Sequence, residues 1–387
     1  MDRTKETFQI EQGPIRPPSE AKSLLIRVTR NCPWGKCHFC HNYVGTKFSR
    51  RSVEEVKGEI KTIRKIHDEI IQISWKYGYG GTINEEVVNF IYGNPHLYSD
   101  LYRNTVVWLY SGGNQVFLQD ANSLVIKTAD LIEIITFLKE AFPQISRITS
   151  YVRSKTISKK PIEELKAIQE AGLSRLHVGL ETGYKPLLEY MRKGVTPEEH
   201  CEAGMKVKQA GISLSEYVVL GLGGKKWWRE HALETAKVLN QINPEFMRVR
   251  TLAITPDMPL YSKLESGEFE MLSEEEIVRE ERLLIEELEG ITSTFVSDHI
   301  LNLLEEVEGR FPEEKEKMLN TIDHYLNLSK EEKIKFNLGK RMKYFRTLDD
   351  FYNPVRIGKV ERVLQRIQEE NTEAMEKIFS TLRAQFI

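Results

Sequence analysis

Three of the chain's four cysteines fall within nine residues, in the run Cys32-Pro33-Trp34-Gly35-Lys36-Cys37-His38-Phe39-Cys40. Three thiolates on one short loop can hold three irons of a cubane iron–sulfur cluster and leave the fourth iron open to a ligand. They can also form a closed structural zinc site, with His41 as fourth donor. Spacing alone leaves both readings open. The fourth cysteine, Cys201, lies inside a helical pattern and reads as a packing residue. Four cysteines in 387 residues do not make a disulfide framework. Arg248 and Arg250 alternate along an apolar run, so they share one face of a strand.

The elements that position these residues follow from period. Ser23–Arg30 reads as a first, mostly apolar strand, and the cysteine loop follows it directly. Ser52 with Glu55 forms a capping box for a helix striped by Val53, Val56, Ile60 and Ile63. Residues 74–114 are aromatic, Gly-rich and without clear period, and read as an insertion. Strands are then predicted at Val116–Leu118, Ile145–Val152, Leu176–Leu180, Leu214–Leu220 and Phe246–Ile254. Helices between them end at Pro143, Gly172 and Gly211, cover 229–241, and continue as a charged helix over 273–289. Six strands alternating with helices predict an α/β fold with a parallel sheet and right-handed crossovers. Two doubly wound sheets fit the pattern as well. Beyond about residue 290 the alternation is lost, and Glu313–Leu326 and Val360–Leu382 read as amphipathic helices. The domain reading is an extended arm over 1–20, an α/β domain over 21–265 and a mainly helical region over 266–387.

The composition bounds the function. The hydrophobic fraction is 40% and the charged fraction 29%, as in a soluble globular protein. The balance of 55 basic and 57 acidic side chains argues against a broad nucleic-acid surface. No apolar run approaches the ~20 residues of a membrane span, and Met1–Thr7 lacks the apolar core of a signal peptide, so a cytoplasmic location is expected.

The cysteine loop resembles the cluster motif of the radical S-adenosylmethionine (SAM) superfamily. The common spacing is C-x3-C-x2-C with an aromatic before the last cysteine; here Phe39 supplies the aromatic and the first gap is one residue longer. The resemblance covers roughly residues 21–262. Gly179-Leu180-Glu181-Thr182-Gly183, followed by Arg192-Lys193-Gly194, resembles the family's Gly-x-Glu-Ser-Gly and Lys-Gly segments. Leu220–Gly224 resembles the glycine-rich end of the fifth strand, and Arg248–Leu252 with Pro256–Leu260 the end of the sixth. Gln119-Asp120-Ala121-Asn122 stands where the family has Gly-Gly-Glu. Within the superfamily the segments look most like the Elp3/MiaB/coproporphyrinogen-oxidase-like group, and the whole chain resembles uncharacterised members of it.

The resemblance implies a partial (β/α)6 TIM-type barrel with a helical C-terminal extension. It implies one [4Fe–4S] cluster on Cys32, Cys37 and Cys40, and SAM bound at its open iron. An electron from the cluster then cleaves SAM to methionine and a 5′-deoxyadenosyl radical. It implies that Glu181 contacts the SAM ribose or amino group. Asp120 and Asn122 are candidates for the SAM ammonium, and Arg153 and Lys193 for its carboxylate. Gly223 would let backbone approach the ligand, and Arg248 and Arg250 would touch SAM or substrate if their face lines the barrel. A reductant such as flavodoxin or ferredoxin and a small-molecule substrate are the expected partners. An RNA substrate and a non-catalytic zinc-stabilised module are the alternatives. No cysteines remain for an auxiliary cluster.

One segment stands outside the resemblance. Phe295-Val296 reads as an added short strand, followed by a helix capped by Ser297 or Asp298. On that helix His299 and Asn302 would share a face. The expectation is that they close the barrel mouth and face the substrate, where His299 binds it or moves a proton at neutral pH.

Overall fold

Runs of consecutive apolar residues become the central strands, as expected where helices cover both faces of a sheet. The computed structural model describes residues 10–97, 99–370 and 375–384. Its strands are β1 (Leu24–Arg27), β2 (Thr29–Arg30), β3 (Ser49–Arg50), β4 (Gln115–Gln119), β5 (Arg147–Val152), β6 (Leu173–Glu181), β7 (Ser213–Leu220), β8 (Phe246–Thr251), β9 (Thr294–Val296) and β10 (Gly309–Arg310). One mostly parallel sheet runs β1-β4-β5-β6-β7-β8-β9-β10, and β2 and β3 form a separate ladder. The fold is α/β.

The first compact unit takes in the described residues up to Gly35, then Gly45–His177 and Lys206–Ser213. Here β1 pairs with β4 and β4 with β5, both parallel, with Leu25 opposite Phe117 and Phe117 opposite Thr149. The capping box at Ser52 is formed in full and starts the helix Val53–Lys76, whose Val56, Ile60, Ile63, Ile66 and Ile70 are all buried. The helix Thr128–Ala141 buries Leu131, Ile134, Ile135 and Leu138. Residues 74–114, expected to be irregular, contain two further helices, Glu85–Gly93 and Asp100–Tyr110. Trp108 of the second is buried against Phe142, whereas Trp75 and Tyr77 are exposed.

The second unit comprises Lys36–Val44, Val178–Met205 and the chain from Leu214 onward. β6 begins in the first unit and ends in the second. β7 pairs with β8 and β8 with β9 in parallel, and β10 closes this edge antiparallel to β9. The predicted short strand at Phe295-Val296 is therefore present. The charged helix is Glu274–Glu286, with a full capping box at Ser273. Its buried Glu274 binds Arg341 through two hydrogen bonds of 2.6 and 2.8 Å, which ties the helix Lys330–Arg341 to it. The predicted helix over 360–382 is two, Pro354–Glu370 and Met375–Ala384; residues 371–374 lie outside the described residues.

The expected helix after Ser297 is not formed; residues 297–308 are turns and loop. Asp298 does not cap backbone N–H groups but accepts from two arginines of β8. Ser297 is wholly buried and accepts from Asn302. Tertiary charge pairing outweighed the local capping signal.

Candidate cofactor site

The cysteine loop leaves β1 and is closed at its neck by the β2–β3 ladder, Thr29 opposite Arg50 and Arg30 opposite Ser49. In the first unit the loop's start is pinned by Asp120, which is fully buried just past β4. Its carboxylate accepts from the Asn31 N–H at 3.1 Å and from the Arg27 guanidinium. Asn31 takes a left-handed turn here (φ 66°), and its side-chain amide donates to the Lys47 carbonyl at 2.8 Å. Asp120, expected at the SAM ammonium, is thus engaged in shaping the backbone that precedes Cys32. Asn122 is engaged as well: its side chain donates to Thr156 Oγ1 at 2.8 Å and accepts from the Arg153 N–H at 3.5 Å. The Arg153 guanidinium lies over Trp34 of the cysteine loop, 5.0 Å from the ring centroid.

The basic rim around this loop is largely paired. Glu11 accepts from Arg27 and Arg30, and Glu59 pairs with Arg51. Burial pushes the Glu11 carboxyl up, but Arg30, Arg27 and Arg51 outweigh it and hold the group below the usual range.

In the second unit the loop's later half is anchored by His38. Its N–H donates to the Met191 carbonyl and its carbonyl accepts from Leu260, both at 2.9 Å. Between these bonds a turn from Cys40 N–H to the Cys37 carbonyl sets the last two cysteines. Phe39 packs against the buried cluster that includes Leu187, Met191, Leu252 and Met258. Lys193 Nζ stands 5.7 Å from the Phe39 ring centroid.

Lys193 also donates to Glu181 Oε1 at 2.7 Å. Glu181 ends β6 with φ 63°, a conformation that side chains rarely adopt. The turn sends its carboxylate back over Gly179, where a Cβ would lie 2.1 Å from Glu181 Oε1 and 2.9 Å from Lys193 Nζ. Glycine at 179 is therefore what lets this ion pair form. Thr182 and Gly183 then fasten the segment to the helix Gly224–Ile242. Thr182 Oγ1 bonds His231 Nδ1 at 2.8 Å, and the Gly183 N–H donates to Thr235 Oγ1 at 2.8 Å. Nearby, Glu216 of β7 is fully buried with one carboxyl oxygen unpartnered. Burial, aided by Glu181, pushes its pKa well up and favours the neutral acid. The sequence reading missed Glu216; a lone carboxylate inside an apolar strand was the available signal.

Gly223, expected beside the cofactor, is required by chain packing. A Cβ there would meet the Trp227 backbone at 2.8 Å. Cys201 is buried, and burial, then Glu198 and Glu216, push its thiol up, as suits a packing residue.

At the end of β8, Arg248 and Arg250 both donate to Asp298, at 2.9 and 3.1 Å. Asn302 is buried with its amide fully used. It accepts from the Thr251 N–H at 2.9 Å and donates to the Val249 carbonyl and Ser297 Oγ, both at 3.0 Å. It does not share a helical face with His299, and it holds the loop to β8. Burial and then Arg250 push His299 down to about 4. It is neutral at pH 7.

The three clustered cysteines are half-buried and none is in a disulfide. Among the described residues, no three His, Cys, Asp or Glu side chains stand close enough to hold a metal ion as they are placed. The donor chemistry, three thiols on one irregular loop, fits an iron–sulfur cluster. Residues 26–239 match the family described as the Radical SAM superfamily, more than half of the chain and the whole of this loop. The chain belongs to the radical SAM superfamily. The family's cofactors, a [4Fe–4S] cluster and SAM, suit this loop, and membership decides against the zinc alternative with His41.

Other likenesses are short or distant. A tRNA uridine(34) acetyltransferase from Methanocaldococcus jannaschii is 22% identical over 117 residues, 30% of this chain and 22% of that protein. An uncharacterized protein of the same organism is 24% identical over 103 residues, 27% of this chain and 31% of that protein. The matched stretches thus span about a fifth and a third of these relatives. Among solved structures, Elp3 from the archaeon Methanocaldococcus infernus is 16% identical with TM-score 0.40, covering 48% of each chain. Coproporphyrinogen III oxidase from Escherichia coli is 14% identical with TM-score 0.44, covering 69% of this chain and 52% of that one. Among the described residues, no helix is long and apolar enough to cross a membrane.

Proposed function

We propose that this radical SAM enzyme generates a 5′-deoxyadenosyl radical that takes a hydrogen atom from a small-molecule substrate. The observation that carries the reading is the three-cysteine loop inside the matched stretch. When bound there, the reduced cluster supplies the electron that breaks a sulfonium C–S bond of SAM, leaving methionine and the radical. Cys32, Cys37 and Cys40 hold the cluster as thiolates. Glu181 accepts from the SAM ribose hydroxyls or ammonium, and Lys193, its ion-pair partner, donates to the SAM carboxylate. Arg153 is a second candidate donor to that carboxylate. Asp120 and Asn122 act one step back, as positioning residues that fix the backbone before Cys32 and the start of the helix at Ser154. Phe39 wedges the loop onto its apolar seat and helps exclude water. A flavodoxin or ferredoxin supplies electrons.

The test is anaerobic incubation of reconstituted protein with SAM and dithionite. Appearance of 5′-deoxyadenosine and methionine supports the reading; their absence with a full cluster contradicts it. A tRNA substrate is the second reading, favoured by the name of the M. jannaschii relative. Strongly salt-dependent tRNA binding by the full chain would prefer it.

A further inference from the structure

β8 carries two arginines on one face, and both turn to the same carboxylate. Arg248 and Arg250 lie opposite Tyr217 and Val219 of β7. Their side chains are 7% and 14% exposed. Both bind the same carboxylate, Asp298, which is 28% exposed and therefore reachable from solvent. Among the described residues, Asp298 is the one carboxylate that pairs directly with either guanidinium, in a mostly buried place. Phe246 and Tyr217 offer ring faces to Arg248 and Arg250, at 5.7 and 5.0 Å. Those contacts do not use the in-plane N–H groups. Arg248 Nε and Arg250 Nη2 are buried with no hydrogen-bond partner. Buried donors left unmade are costly, so such groups mark a place where an acceptor is wanted.

Among the described residues, the surroundings do not supply that acceptor. His299 is held neutral by burial and by Arg250. Its Nδ1 accepts from the Leu301 N–H at 3.3 Å, so Nε2 carries the proton and is itself a donor. Glu308 is exposed; it attracts Arg248 but makes no hydrogen bond or ion pair with either arginine. A purely structural clamp between β8 and the loop is not needed, because Asn302 already joins them through Thr251, Val249 and Ser297.

We propose that Arg248 and Arg250 form the receptor for an anionic oxygen group of the substrate, a carboxylate or a phosphate, with Asp298 as the internal anion that holds both guanidinia until that group arrives. Planar guanidinium forks bind both kinds of anion in a two-point fashion. This assignment rests on the radical SAM reading for the word substrate, but the anion site itself is testable without turnover.

The experiment is calorimetric titration of the reconstituted full-length protein with inorganic phosphate and, separately, succinate, at low ionic strength and without SAM. One of the two is expected to saturate a single site per chain, and which one does assigns phosphate or carboxylate. Arg248→Gln and Arg250→Gln should each weaken that binding tenfold or more. Asp298→Asn should tighten it by about tenfold, because the incoming anion no longer displaces an ionised competitor. A structural clamp predicts the reverse for Asp298→Asn, a lower melting temperature with no gain in affinity. If Asp298→Asn fails to fold by circular dichroism, Arg250→Lys decides: it keeps the charge, loses the fork and should weaken binding by less than Arg250→Gln. Absence of saturable binding to the wild type, or equal affinity in wild type and both Arg250 variants, overturns the proposal. So does a matching loss of SAM affinity in the arginine variants, which would assign them to SAM. Failure of the radical SAM reading shows elsewhere, as absence of SAM cleavage by the wild type, and leaves the titration readable.

Discussion

Glu181 is held by three neighbours at once: its own left-handed turn, the gap above Gly179 and the Lys193 ammonium. Glu181→Gln keeps the shape and removes the charge. A hydrogen bond to a charged group contributes ~1.5–3 kcal/mol, so SAM should bind roughly ten- to a hundredfold more weakly, with iron content unchanged. Unchanged SAM affinity by calorimetry would remove Glu181 from the site. Gly179→Ala tests the same pair from behind. The new Cβ must push the Glu181 carboxylate off Lys193, so its SAM affinity should fall by about as much as in Glu181→Gln, with little change in melting temperature. His299 makes a pH prediction. With its pKa near 4, substrate-dependent activity between pH 6 and 8 should carry no limb from this residue. A limb near pH 6.5 that disappears in His299→Gln would contradict its neutral, half-buried state. The pairing of Glu181 with Lys193 was not legible in the sequence. Each stood out by family resemblance, but the turn that folds one back onto the other depends on an adjacent glycine that reads as ordinary strand.

Elements that bury a long stripe were legible; elements that bury little were not. The helix Val53–Lys76 buries five isoleucine and valine positions at helical spacing and carries its capping box. The helix Glu85–Gly93 buries only Val87 and Ile91, so its period is too short to stand out. The loop after β9 was misread because Ser297 and Asp298 are good caps in isolation, and nothing local shows that two arginines about fifty residues earlier claim the carboxylate. The same kind of long-range pairing holds the cysteine loop's entrance. Asp120 reaches from the end of β4 to the Asn31 backbone and Arg27. Asp120→Ala should cost roughly 3–5 kcal/mol, the effect of removing one partner from a buried ion pair. It should also lower iron retained after reconstitution and desalting, because the turn before Cys32 loses its acceptor. A stable variant with wild-type iron would show that Asp120 does not shape this loop.

At the scale of the whole molecule, buried carboxyl groups couple stability to pH. Glu281, on the helix Glu274–Glu286, is pushed up to about 8 by burial and then by Glu306 and Glu280. Its folded pKa lies above the ordinary glutamate value of 4.5. The folded state therefore holds a proton that the unfolded chain releases. That stabilisation is complete below about pH 4.5 and is lost as pH rises through about 8. The melting temperature should fall by several degrees between pH 6 and pH 9, at roughly 2–4 °C for each kcal/mol, and Glu281→Gln should flatten that fall. An unchanged slope in the variant would place the titration elsewhere. The cysteine side chains themselves carry little of the fold's stability by contrast, since the loop is anchored by Asp120, the His38 backbone bonds, the β2–β3 neck and Phe39. Replacing Cys37 by Ala should leave the circular dichroism spectrum unchanged. The most direct measurement is anaerobic reconstitution with iron and sulfide, followed by reduction and chromatography of the products formed from SAM. The account predicts a brown protein with about four irons per chain, 5′-deoxyadenosine and methionine in equal amounts, and neither product from Cys37→Ala. A colourless, zinc-replete protein with all three thiols occupied, and no 5′-deoxyadenosine after reconstitution, would contradict it.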